Sequence, residues 1–146
     1  MFLPRKVLEE KLRKFFEEDL GQGDVTTAAA IPEDMVVEAE VVAKEPGTVA
    51  GLEEARIFLE NFGLKAEMKV SDGVEVKPRT VLLRVTGDAR TLLSLERTLL
   101  NLLSRMSGIA TTTRHILRKL RKAGYTTRLA CTRKVAPGLG FFDKKA

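Results

Sequence analysis

The side chains best suited to binding anions in this 146-residue chain are Thr132-Arg133-Lys134 and Arg97, the latter inside Glu96-Arg97-Thr98-Leu99-Leu100-Asn101. A guanidinium offers a planar fork of donors that matches a carboxylate, and an ammonium supplies a compact charge suited to phosphate. The Thr132 hydroxyl and backbone N–H add donors of the same kind. From residue type alone, Arg133 and Lys134 read equally well as two solvated loop cations. Arg97 reads first as a polar-face residue of an amphipathic helix. Nucleophilic chemistry is poorly served: the only His, His115, and the only Cys, Cys131, lie on different elements and build no triad. One His and one Cys also make no zinc site. Cys131 is expected as a buried strand residue and His115 on a helix surface.

Charge is distributed unevenly. Residues 1–73 carry 9 basic and 16 acidic side chains, a net −7, whereas residues 74–146 carry 16 basic and 4 acidic, a net +12. Such a surplus fits a nucleic-acid surface or, more concentrated, a pocket for carboxylates and phosphates. The run Arg114, Arg118, Lys119, Arg121, Lys122 lacks the interleaved aromatics of a strand-binding surface, with only Tyr125 nearby. With 44% hydrophobic and 31% charged residues the chain reads as globular and water-soluble, and no apolar run is long enough to span a bilayer. Met1 to Lys14 is amphipathic, without the apolar centre of a signal peptide. A lone cysteine excludes an internal disulfide. The expectation is a cytoplasmic chain with no membrane and no nucleic-acid partner.

The elements that must position these side chains follow from periodicity. Val7, Leu8, Leu12, Phe15 and Phe16 recur at helical spacing, so a helix is expected over 4–18, stopped by Asp19-Leu20-Gly21-Gln22-Gly23-Asp24. Residues 35–43 alternate, with Glu38 and Glu40 on one face and Val37, Ala39 and Val41 on the other, and predict a strand. A turn at Lys44-Glu45-Pro46-Gly47 leads to a short strand over 48–50. Ala55, Phe58, Leu59 and Phe62 predict a helix over 52–62 with Gly63 as its stop. Further strands are expected over 64–70 and 80–86. Asp88 is a good N-cap for a Leu-rich helix over 88–122, with a break expected near Ser107-Gly108. Residues 126–132 read as a strand with Arg133 and Lys134 at its C-terminal end. The class is α+β.

Three blocks in order carry a resemblance: Gly23-Asp24-Val25-Thr26-Thr27; Glu96 to Asn101 running into Met106-Ser107-Gly108-Ile109-Ala110-Thr111; and Thr132-Arg133-Lys134-Val135-Ala136-Pro137-Gly138-Leu139. Collinear over essentially the whole chain, they resemble quinolinate phosphoribosyltransferases. The resemblance implies an N-terminal open α/β sandwich followed by the first strand and loop of an α/β barrel that the chain does not complete. The corresponding division is 1–110, sandwich with a long helix leading out, and 111–146, start of the barrel with its first strand at 126–132. The activity implied is phosphoribosyl transfer from phosphoribosyl pyrophosphate to quinolinate, giving nicotinate mononucleotide, pyrophosphate and carbon dioxide. Arg133 and Lys134 are then the catalytic pair, Arg133 on a quinolinate carboxylate and Lys134 on substrate or donor phosphate, with Thr132 beside them. Arg97 is implied to enter the neighbouring subunit's site, making a dimer or higher oligomer obligatory. Mg²⁺ is implied as cofactor, with ligands expected beyond this chain and none within it.

The chain departs from the family pattern at Val135, where Thr is common, and at Cys131, where Asp is common, so a hydroxyl and a carboxylate near the substrate are missing. Relatives acting on another pyridine, a nicotinate phosphoribosyltransferase or a molybdenum-transport-associated homologue, are alternatives of the same fold. A biotinyl- or lipoyl-like carrier, with Lys69 as the modified residue, and a basic nucleic-acid module are alternatives of other classes. The chain is expected to be a fragment or to need a second polypeptide, with Leu129, Phe141 and Phe142 left uncovered.

Overall fold

In the computed structural model, which describes residues 3–21 and 23–146, a helix, α1 (Arg5–Leu20), leads into a short one, α2 (Val25–Ala30). Met1, Phe2 and Gln22, used above for the chain start and the helix stop, lie outside the described residues. Then follow β1 (Val36–Val42), β2 (Gly47–Thr48), α3 (Leu52–Asn61), β3 (Lys65–Met68), β4 (Glu75–Val76), β5 (Val81–Asp88), α4 (Ala89–Lys122) and α5 (Gly140–Lys145). The α+β class and the open sandwich are as expected.

Alternation builds the main sheet. Its three antiparallel strands lie in the order β1-β5-β3, with Ala39 and Ala66 flanking Val85, and Val41 and Met68 flanking Leu83. Leu83 and Val85 are buried. One residue along, the pleat turns the other way and sets Arg84 between Glu40 and Glu67 on the outer face. Its guanidinium bonds Glu40 at 2.9 Å. A bulge between Val41 and Val42 ends the regular pairing. The small β2-β4 ribbon forms a second antiparallel pair.

Helices cover the apolar face. α3 buries Leu52, Ala55, Ile57, Phe58 and Leu59, α1 buries Leu8 and Leu12, and α4 contributes Leu95, Leu99, Leu102, Leu103, Met106 and Ala110 at helical spacing. Phe16, Phe58 and Phe62 meet edge to face at centroid distances of 4.9–6.4 Å.

α4 runs unbroken for 34 residues, about 51 Å at 1.5 Å per residue. The break expected near Ser107-Gly108 is absent: Ser107 serves the neighbouring backbone, and Gly108 faces open space within the continuous helix. The Ser107 hydroxyl accepts from the Ala50 N–H at 3.2 Å and lies 3.3 Å from the Ala50 carbonyl, while the Thr48 N–H donates to Thr111 Oγ1 at 2.8 Å. One turn apart on α4, the two hydroxyls replace the ladder partners that the chain lacks around β2. Gly51, at φ +96°, adopts a backbone conformation that other residues rarely take, and a Cβ there would lie 2.7 Å from Met106 Sδ and push that side chain aside.

The C-terminal segment differs most from expectation. Residues 126–132 form no strand: they are exposed and have no ladder partner among the described residues. Extended sequence becomes a strand only when a neighbour takes its hydrogen bonds. Cys131 is accordingly exposed, not buried. Leu129 is exposed as expected, but Phe142 is fully buried and Phe141 packs against the core. The expectation of an uncovered tail is therefore corrected. α5 folds back onto the sandwich, Phe142 meeting Phe15 at 5.4 Å and Lys145 donating to buried Glu54 at 2.6 Å.

Candidate active site

Arg97 and the Gly23–Thr27 block, 70 residues apart in sequence, come together in space. A cleft of about 290 Å³ is lined by Asp19, Leu20, Gly23, Asp24, Thr26, Leu93, Ser94 and Arg97. Asp24 builds its floor as N-cap of α2, accepting the Thr27 N–H at 2.9 Å and the Thr27 hydroxyl. The six-residue α2 was not legible as a helix. Asp24 followed three residues later by Thr27 is the capping signal that marks it. Arg90 closes the other end of α2, donating to the carbonyls of Ile31 and Ala28 at 2.9 and 3.2 Å.

The side chain of Arg97 is 74% exposed, and Asp19 is its one ion-pair partner among the described residues, at 3.6 Å. Asp19 itself accepts the hydroxyl of buried Thr98 at 3.1 Å. Asp19 and Asp24 are thus the site residues the sequence reading missed. They keep an acidic wall beside a guanidinium that remains free to turn toward solvent.

The Thr27 hydroxyl first, then the Thr27 N–H, and more weakly Ser94 and the Arg97 charge, hold the Asp24 carboxyl below its ordinary 3.8. Asp88, N-cap of α4, is lowered in the same way by Thr91. Between the ordinary value and the lowered one, the unfolded chain binds more protons than the folded chain. The stability from these caps is therefore complete above the ordinary value and lost as pH falls through the folded ones. Thermal melts over acidic pH should show the midpoint falling below about pH 4, less steeply in the Asp24→Ala/Asp88→Ala double variant.

Thr132, Arg133 and Lys134 lie in an exposed loop before α5, with the Lys134 N–H donating to Thr132 Oγ1 at 3.1 Å. Among the described residues, neither the Arg133 nor the Lys134 side chain has a hydrogen-bond or ion-pair partner. None of the three lines the Arg97 cleft. The molecule therefore presents two separate cationic features, where a single-chain site would gather them.

Other charges are engaged. Arg114 donates to the Gly73 carbonyl, Arg118 to Glu75 and Arg121 to the Tyr125 carbonyl, so three cations of the basic run have internal acceptors. Lys69, the residue a carrier module would modify, pairs with Glu67 at 2.7 Å. His115 is exposed on α4, as expected. Val135 is half-buried, its Cγ2 lying 3.3 Å from an imagined Cβ on Gly140. Among the described residues, no three His, Cys, Asp or Glu side chains converge to hold a metal, and no helix is long and apolar enough to cross a membrane.

Comparison with known proteins gives the geometry its context. The family described as "Quinolinate phosphoribosyl transferase, N-terminal domain" matches residues 24–107. The chain is 42% identical over 135 residues to the probable nicotinate-nucleotide pyrophosphorylase (carboxylating) of Methanocaldococcus jannaschii, covering 92% of this chain and 47% of that protein. It is 38% identical over 142 residues to the nicotinate-nucleotide pyrophosphorylase (carboxylating) of Mycobacterium leprae, covering 94% and 49%. Among solved structures it is similar to NadC of Streptococcus pyogenes, with a TM-score of 0.89 and 28% identity over 98% of this chain and 52% of that one. The chain thus spans about half the length of the curated relatives it matches, and its sequence and fold agree on one assignment: it belongs to the quinolinate phosphoribosyl transferase family.

Proposed function

We propose that this chain takes part in phosphoribosyl transfer from phosphoribosyl pyrophosphate to quinolinate, forming nicotinate mononucleotide, pyrophosphate and carbon dioxide. The observation that carries this reading is 42% identity over 92% of the chain to a protein named as the carboxylating pyrophosphorylase. In this reading residues 1–110 form the sandwich and 111–146 open the barrel. Arg133 grips a quinolinate carboxylate, Lys134 neutralises substrate or donor phosphate, and the Thr132 hydroxyl or N–H adds a donor. Arg97 reaches the site of a second copy, so the working unit is a homodimer or higher oligomer. The partners are small anions, with no nucleic acid and no membrane, and the compartment is the cytoplasm, with which a single cysteine accords.

The chemistry needs no nucleophilic side chain. As pyrophosphate leaves the ribose C1, positive charge develops there and the pyridine nitrogen attacks it. The chain's task is to hold two mutually repelling anions together and in line. Arg97, Arg133 and Lys134 offset that repulsion. Mg²⁺, implied by the family, would supply charge to the departing pyrophosphate; among the described residues no three His, Cys, Asp or Glu side chains converge to hold it.

A chimera in which this chain replaces the aligned 135 residues of the Methanocaldococcus relative tests the reading. Given phosphoribosyl pyrophosphate and Mg²⁺, it should form nicotinate mononucleotide from quinolinate with release of carbon dioxide. Equal use of nicotinate would favour the alternative acceptor, and no turnover would remove the assignment. In the active chimera Arg133→Lys exchanges a two-pronged donor for a point charge. The expected loss is about 1.5 to 3 kcal/mol in quinolinate affinity, read as a raised KM.

A further inference from the structure

The loop bearing Arg133 and Lys134 is a chain of tight turns. The Val135 N–H donates to the Arg133 carbonyl and the Leu139 N–H to the Ala136 carbonyl, at 3.1 Å each. Such turns fix local shape but leave open where the loop sits relative to the sandwich. Among the described residues, one polar group outside residues 132–139 accepts a hydrogen bond from that segment, the carboxylate of Asp143 in α5. Its Oδ2 accepts the Ala136 N–H at 3.1 Å, two residues beyond Lys134. The same carboxylate takes a two-pronged bond from Arg105 of α4, Nε to Oδ1 at 2.7 Å and Nη2 to Oδ2 at 2.8 Å.

The Asp143 side chain is 8% exposed while that of Arg105 is 40% exposed, so the guanidinium covers the carboxylate from the solvent side. The Arg105 bond, helped by the Ala136 N–H and opposed by burial, keeps its carboxyl ionised below the usual range. Arg105 stands eight residues after Arg97 on the same unbroken helix, about 12 Å along the axis at 1.5 Å per residue. Phe142 and the Lys145–Glu54 bond fix α5 on either side of Asp143, and Leu139 at the end of the loop packs against the same core.

We propose that Asp143 is a positioning residue for the anion-binding loop, tying the Ala136 backbone to Arg105 and so setting where Arg133 and Lys134 stand relative to the helix that carries Arg97. This rests on the functional reading above for its kinetic consequence, but not for the tie itself. The tie has two halves that can be separated. Arg105→Ala removes the ion pair and leaves the acceptor for Ala136. Asp143→Ala removes both. The exchanged pair Arg105→Asp/Asp143→Arg restores opposite charges but gives Ala136 no acceptor.

Hydrogen exchange resolved at the Ala136 amide of the protein itself tests the tie. Exchange should quicken about tenfold or more in Asp143→Ala and in the exchanged pair, and less in Arg105→Ala. Unchanged exchange in Asp143→Ala would overturn the proposal. In the active chimera, the quinolinate KM should rise about tenfold in Asp143→Ala and stay raised in the exchanged pair, while the thermal midpoint of the exchanged pair recovers. Recovery of both KM and midpoint would reduce Asp143 to a partner in an ion pair and overturn its positioning role. A chimera without turnover would sink the functional reading, leaving the amide exchange to decide the tie.

Discussion

Arg97→Ala is expected to lower kcat/KM for phosphoribosyl transfer by about 10²-fold or more while leaving the melting temperature of the enzyme unchanged. The first half follows from the proposed reading, in which Arg97 is a charge-assisted donor to a bound anion, an interaction of about 1.5 to 3 kcal/mol before any loss of alignment is added. The second follows from the surroundings of Arg97. Its side chain is three-quarters exposed, and its pairing with Asp19 at 3.6 Å is of a kind that contributes little. Thr132–Lys134 do not line the Arg97 cleft of their own chain, and in the proposed reading the two features meet from two copies. Mixing makes this testable. Co-assembled Arg97→Ala and Arg133→Ala subunits leave one intact site in each mixed dimer, and a random equal mixture should regain about a quarter of wild-type activity. Separately inactive variants that regain nothing in demonstrated mixed dimers would place Arg97 in its own chain's site.

Most of the sandwich was legible because its signals are local. Val37, Ala39 and Val41 alternate with Glu38 and Glu40, and the strand they form has that facing. Asp88 caps α4, and the Leu stripe after it lies inward. The failures share a cause: each depended on a partner distant in sequence. Ser107-Gly108 looked like a helix break, since nothing nearby shows that a hydroxyl there serves the backbone of Ala50. Residues 126–132 have a strand's composition and no strand beside them. Of the candidate site, Arg97, Arg133 and Lys134 were singled out by the family resemblance, since residue type alone reads them equally as solvated cations. Asp19, Asp24 and Asp143 were not, because a carboxylate that organises a cation is indistinguishable in sequence from one that is merely solvated.

Phe142 carries the second large effect. The chain was expected to leave Phe141 and Phe142 uncovered; instead, the Phe142 ring is fully buried and tilted against Phe15 at 5.4 Å. Phe142→Ala should therefore cost about 3–5 kcal/mol, the transfer term of a buried ring plus the cavity it leaves. The loss need not fall on the whole domain. Phe142 belongs to the same core cluster as Leu95, Leu99, Phe58 and Leu83, but it enters from a six-residue helix at the chain's end, so α5 with its tethers is the unit expected to open first. Undocking α5 pulls Lys145 from Glu54, a carboxylate 1% exposed, and frees the Asp143 bond to Arg105. Burial works against the Lys145 charge, yet the Glu54 bond, with Glu53 and Asp72, raises its pKa, so Lys145 stays charged in the docked state. Limited proteolysis followed by mass measurement should cut the wild type first within the exposed stretch 121–134, and Phe142→Ala additionally within 135–146. If Phe142→Ala keeps residues 135–146 protected, polar ties alone hold α5, and the aromatic contact is not what seats the Thr132–Leu139 loop on the sandwich.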